Sequence, residues 1–143
     1  MKAINILLIE DNLGDVELVK TAIKENKFKN NLFVCNDGEK GLKFLFKEDE
    51  YLNQVTPDLI LLDLNLPKIE GKDVLAKIKG NETLRSIPVV ILTTSSAEAD
   101  VLKSYNLNAN CYITKPIDLN KFIEVIKSIE IFWLSIVKLP TVN

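Results

Sequence analysis

Pro57-Asp58-Leu59-Ile60-Leu61-Leu62-Asp63-Leu64-Asn65-Leu66-Pro67 decides the fold. Residues 59–62 form an unbroken apolar run with a proline on either side. A run this short, without polar alternation, fits a central parallel strand covered on both faces. Asp63 then stands where the strand's carboxyl end meets its loop. That edge of an open α/β sheet is where ligands bind. An aspartate there also suits a turn or a cap, so the segment alone leaves its role open.

Outward from this strand, apolar runs and helical faces alternate. Residues 4–9 (Ile-Asn-Ile-Leu-Leu-Ile) form a first strand, followed by the loop Glu10-Asp11-Asn12-Leu13-Gly14. Asp15 is expected to cap a helix with Val16, Val19, Ala22 and Ile23 on one face. Asn30-Asn31 reads as a turn, residues 32–35 as a second strand, and a helix after Gly38 as facing Leu42, Leu45 and Phe46 inward. Between Gly71 and Gly80, Val74, Leu75 and Ile78 keep helical spacing. Residues 88–92 form a fourth strand, with Thr93-Thr94-Ser95-Ser96 as its loop. A helix over 97–105 faces Val101, Leu102 and Tyr105 inward, and residues 110–113 form a fifth strand. Asp118 starts a last helix with Phe122, Val125, Ile126 and Ile129 inward.

Alternating β and α elements imply an α/β fold, a doubly wound parallel sheet with helices on both faces. The five-stranded solution is the order 2-1-3-4-5, with its switch point between strands 1 and 3. The loops carrying Glu10-Asp11 and Asp63 meet there. Three carboxylates at one edge repel one another without a cation. Oxygen ligands in a chain with no histidine suit Mg²⁺. Thr93 after strand 4 and Lys115 after strand 5 add a hydroxyl and an ammonium, which suit a transferred phosphoryl group.

The 143 residues, 47% of them hydrophobic, suit one domain with a full core. A net charge of -2 and a pI of about 5.3 give no footprint for nucleic acid. No apolar stretch reaches membrane-spanning length and no signal peptide opens the chain, so a cytoplasmic location without membrane contact is expected. Cys35 and Cys111 lack the spacing of a metal or redox pair. On opposite edge strands they would lie ~19 Å apart, beyond the ~7 Å Cα limit for a disulfide.

The motifs Ile9-Glu10-Asp11-Asn12, residues 61–67, Pro88-Val89-Val90-Ile91-Leu92-Thr93 and Tyr112-Ile113-Thr114-Lys115-Pro116 together resemble the receiver domain of bacterial two-component response regulators. The resemblance runs from Ile4 to about Ile129 and carries the flavodoxin-like receiver fold with it. It implies that Asp63 accepts a phosphoryl group from a histidine kinase. It implies that Glu10, Asp11, Asp63 and the main-chain carbonyl of Asn65 hold Mg²⁺. Thr93 matches the switch hydroxyl, Lys115 the lysine that pairs with a phosphoryl oxygen, and Tyr112 the aromatic that swings inward. The Lys115-Pro116 bond is expected to be cis. The chain would be a phosphoacceptor signalling protein, not an enzyme beyond self-phosphotransfer and slow autodephosphorylation. Glu-Asp-Asn-Leu-Gly-Asp-Val-Glu-Leu (10–18) and the tail 132–140 are similar to the small stand-alone regulators of bacterial phytochromes. That points to a light-sensing histidine kinase as phosphodonor. With three residues after Pro140, an output domain has no room, and output through protein partners is expected.

Three alternatives stand beside this reading. A haloacid dehalogenase-type aspartyl-phosphate hydrolase places a second Asp two residues after its nucleophile; here that residue is Asn65. A flavodoxin-like FMN protein would have its phosphate repelled by Glu10-Asp11. A degenerate receiver, acting only as a binding module, would lack a pocket acid, the Thr or the Lys, and none is missing. The expected division is a receiver domain over 1–130 and a helical extension over 131–143. In that extension Ile131-Phe132-Trp133-Leu134, then Ile136 and Val137, exceed what one helix face can bury. An outward aromatic patch and a homodimer through the last helix are expected.

Overall fold

The computed structural model describes residues 3–25, 29–94, 96–104, 107 and 109–141, and among these the side chains of 96, 99, 101, 104 and 132–141 are not described. Five strands alternate with five helices: β1 Ile4–Ile9, α1 Leu13–Lys24, β2 Asn30–Cys35, α2 Gly38–Leu45, β3 Leu59–Asp63, α3 Gly71–Lys79, β4 Val89–Thr93, α4 Ser96–Ser104, β5 Cys111–Thr114 and α5 Leu119–Thr141. A 3₁₀ turn, Asp49–Tyr51, precedes β3. The sheet has the expected order β2-β1-β3-β4-β5, and every pairing is parallel.

The pleat sends alternate residues to two cores. Ile6, Leu8, Leu59, Leu61, Val90 and Leu92 pack with Val16, Val19, Phe122 and Ile126 of α1 and α5. Leu7, Ile9, Ile60, Leu62 and Ile91 pack on the other face with Phe44, Leu75, Ile78 and Leu102 of α2, α3 and α4. Burial on both faces is why β3, β4 and the part of β1 after Asn5 read as unbroken apolar runs.

Four local expectations need correction. The α1 cap is Asn12, whose side chain accepts from the Asp15 amide at 2.9 Å, and not Asp15 itself. Asn30 and Asn31 belong to β2 instead of forming a turn. They pair with Ile4 and Asn5, and the Asn31 side-chain Nδ2 donates to Asn5 Oδ1 at 3.0 Å. The inward aromatic of α2 is Phe44, its ring tilted against those of Phe33 and Tyr51. Phe46 is the C-cap residue, where the chain leaves the helix, and is 38% exposed. Thr93 ends β4 and Ser96 begins α4, so neither is loop. Leu102 is buried as expected, whereas Tyr105, Ser95 and the side chain of Val101 lie outside the described residues. α5 is capped by Asp118, whose Oδ1 accepts from the Lys121 amide at 3.0 Å.

Close packing fixes one glycine beside the β3 loop. A Cβ on Gly71 would come 2.3 Å from the Asp63 carbonyl oxygen and 2.6 Å from Leu64 Cα. α3 therefore starts directly against the backbone that carries Asp63. Cys35 in β2 and Cys111 in β5 are free thiols on the two edge strands.

Candidate functional site

The parallel register brings the strand ends to one edge. Glu10 follows β1, Asp63 ends β3 and is paired with Leu92, and Thr93 ends β4 opposite Thr114. The Lys115 amide donates to the Thr93 carbonyl at 2.7 Å, which starts the β5 loop beside β4. The Lys115-Pro116 peptide is cis. Glu10, Asp63 and Thr93 are all buried, at 0%, 1% and 1% exposure, although each is polar.

Carboxylate oxygens of Glu10, Asp11 and Asp63 lie within 4.8 Å of one another, with Asp11 exposed at the rim. Lys115 reaches across this cluster. Its Nζ is 2.8 Å from Glu10 Oε1, 2.9 Å from Asp15 Oδ2 and 3.2 Å from Asp63 Oδ2. The aligned hydrogen bond runs to Asp63. Asp63 Oδ1 accepts the Asn65 amide at 3.0 Å, and Glu10 Oε2 accepts the Asn12 amide at 3.3 Å. Burial, and next the hydrogen-bonded Asp63 side chain, push the Glu10 carboxyl up to about 8, against the opposing pull of Lys115. Burial acts against the Lys115 charge, but Glu10, Asp15 and Asp63 outweigh it and hold the ammonium above its ordinary range. A buried acid this reluctant to ionise marks a place where more positive charge would be stabilised.

Oxygen donors close together with no nitrogen or sulfur fit a hard divalent cation. A cavity of about 550 Å³ opens beside them, lined by Asp11, Asn65, Pro67, Glu70, Glu98 and Leu102 among others. At its mouth the Asn65 side-chain amide approaches Thr94 Oγ1 at 3.5 Å, and the Thr94 hydroxyl donates to Glu98.

The structure thus brings together Glu10, Asp11, Asp63 and Lys115 as the sequence suggests, with Thr93 at the adjoining strand end. Tyr112 sits apart from them. It pairs with Ile91, its hydroxyl accepts the Ala109 amide at 3.2 Å, and Lys103 Nζ lies 5.5 Å from its ring centroid. The ring packs with the core on the α4 side. Asp15 is the site residue that the sequence reading assigns elsewhere, as a cap. The signal was present: Asn12 is itself a strong cap, and Asp15 is the third residue after it.

Comparison with known proteins gives one family. The response regulator receiver domain matches residues 6–127. The response regulator Rcp1 of Synechocystis sp. is 47% identical over 94% of this chain and 92% of its own length. The phosphorylated cyanobacterial phytochrome response regulator RcpA superposes with a TM-score of 0.80 at 46% identity, over 94% of this chain and 96% of that one. The Mn²⁺-bound form of Rcp1 gives a TM-score of 0.78 at 47% identity, over 91% and 94% of the two chains.

Proposed function

This chain belongs to the response regulator receiver family of two-component signalling, and we propose that Asp63 is its phosphoacceptor, with a histidine kinase as donor. The observation that carries the reading is Lys115 Nζ at 3.2 Å from Asp63 Oδ2, beside an acidic cluster only 4.8 Å across. An Asp63 carboxylate oxygen attacks phosphorus while the N–P bond of the kinase phosphohistidine breaks. The electron pair returns to the imidazole nitrogen, and the product is an acyl phosphate.

Glu10, Asp11 and Asp63, with the main-chain carbonyl of Asn65, would hold Mg²⁺. That the relative Rcp1 has a Mn²⁺-bound form supports a divalent cation for this chain. When bound, the cation offsets negative charge on the carboxylates and the incoming phosphoryl oxygens. Lys115 supplies a further positive charge to a phosphoryl oxygen. The Thr93 hydroxyl turns to another phosphoryl oxygen, and Tyr112 follows by giving up its bond to the Ala109 amide. These two movements are the switch.

The similarity to phytochrome response regulators supports a kinase of the bacterial phytochrome type. No helix among the described residues is long and apolar enough to cross a membrane, the slightly acidic charge balance gives no footprint for nucleic acid, and we place the protein in the cytoplasm as part of this proposal. α5 continues past the matched family region to Thr141. We take residues 131–143, the extension of the last helix and the tail, as the segment through which two copies pair. Ile131, 57% exposed, begins its apolar run; Phe132, Trp133, Leu134, Ile136 and Val137 lie outside the described side chains.

The reading is tested with acetyl phosphate and Mg²⁺, followed by intact mass. The wild type gains one phosphoryl group, and Asp11→Ala or chelation by EDTA suppresses the gain. Full uptake by Asp11→Ala in EDTA would contradict the role of the metal. An enzyme of the phosphohydrolase type would instead turn over acetyl phosphate continuously without holding the group. The amide of Asn65, unable to donate and recover a proton, argues against that behaviour. A degenerate receiver, serving only as a binding module, would take up no phosphoryl group at all.

A further inference from the structure

We propose that Asp15 is a positioning residue for phosphoryl transfer, anchoring the Lys115 ammonium from the α1 side so that an N–H stays directed at Asp63. The proposal rests on Asp63 being the phosphoacceptor.

Lys115 Nζ has three carboxylates within 3.2 Å, and the two other than Asp15 change their role during the reaction. Asp63 gives up its negative charge when its oxygen bonds to phosphorus. Glu10 belongs to the cluster suited to a cation. Asp15 lies outside that cluster and is not the helix cap. Its reciprocal duty in a capping box would be to accept the Asn12 amide. Glu10 Oε2 accepts that amide instead, at 3.3 Å. The Asp15 carboxylate is thereby released from the helix end and stands 2.9 Å from Lys115 Nζ.

The geometry divides the work. The aligned N–H of Lys115 points to Asp63, while Asp15 acts as a counter-charge on the opposite element. A lysine side chain has a flexible four-carbon stem. Without Asp15 its head would be held by Glu10 and Asp63 alone, or move outward to water. The Asp15 side chain is 21% exposed, so its hold on Lys115 is partly screened. The ammonium therefore remains able to share a proton with a phosphoryl oxygen.

The reaction step with a small donor balances simply. The Asp63 oxygen forms the new bond to phosphorus, the P–O bond of acetyl phosphate breaks, and acetate leaves with the electron pair. Lys115 stays protonated throughout.

The test compares wild type, Asp15→Ala, Asp15→Asn and Asp15→Glu in the full chain. One readout is the Lys115 Hζ–Nζ cross-peak in NMR, recorded without phosphodonor. The other is the maximal rate of phosphorylation by acetyl phosphate at saturating Mg²⁺. Asp15→Ala is expected to broaden or shift the cross-peak and slow phosphorylation roughly tenfold to a hundredfold, the scale of a misplaced reacting group. Asp15→Asn, which keeps the shape and removes the charge, should behave alike, and Asp15→Glu should recover most of the rate. An unchanged rate, or a slowed rate with an unchanged Lys115 signal, overturns the proposal. If Asp15→Ala fails to fold, Asp15→Asn decides it. Wild type that takes up no phosphate would refute the phosphoacceptor reading itself. Wild-type uptake matched by all three variants would refute only the role of Asp15.

Discussion

Two buried carboxyls, Glu10 and Glu130, sit at opposite ends of the functional question. Glu10 is held beside Lys115 and serves the site. Glu130, on α5 and 1% exposed, serves nothing at the sheet edge. Burial pushes its carboxyl up to about 7, and Asn30 opposes that shift without cancelling it. The folded chain therefore keeps a proton on Glu130 that the unfolded chain releases near the ordinary glutamate value of 4.5. Between those two values the folded state binds more protons, so stability falls as pH rises and levels off above about 7. Glu130→Gln should remove this slope and gain on the order of 2 kcal/mol at pH 8 relative to pH 5. Urea denaturation at the two pH values measures it; equal pH dependence in both proteins would contradict the assignment. At this scale the sequence was only partly informative. Asp63 and Lys115 stand out because each follows an apolar run. Asp15 and Glu130 do not, because their roles depend on which distant element lies opposite.

At the scale of elements, the start of α3 fixes the site most tightly. Gly71 lies so close to the Asp63 carbonyl that any side chain must displace one of them. Gly71→Ala should cost about 1–3 kcal/mol, as overpacking does, and should also slow phosphate uptake, because the displaced backbone carries Asp63. Thermal unfolding paired with an acetyl phosphate time course checks both; a variant with normal stability and normal uptake would show that the contact relaxes freely. The elements themselves were largely legible. Periodicity gave the buried faces of α1 and α3, and apolar runs gave β3, β4 and, despite Asn5, β1. The misplaced pieces were those where context overrides local preference. Asn30 and Asn31, turn formers by composition, are drawn into β2 by pairing with β1. Phe44 replaces Phe46 because α2 ends at Leu45, one residue before Phe46 could join its face.

For the whole molecule, the order of strands does the assembling. It carries Glu10, Asp63, Thr93 and Lys115 from four separate strand ends to one edge, and it leaves Cys35 and Cys111 free on the two outer strands. Both consequences follow from strict β/α alternation, which is why the fold and the core of the site could be read from sequence. Association between copies is a property of the same scale, and sequence reaches it only through the surplus of apolar residues after Glu130. Light scattering of the full chain is expected to give a dimer, and Trp133→Glu a monomer. A full chain that stays monomeric with and without phosphodonor would contradict the helical arm as a pairing surface. The most direct measurement of the central claim is the location of the phosphoryl group. After acetyl phosphate and Mg²⁺, intact mass and peptide mapping should place one hydroxylamine-labile phosphoryl group on Asp63, with none gained by Asp63→Asn; undiminished uptake by Asp63→Asn would contradict the account.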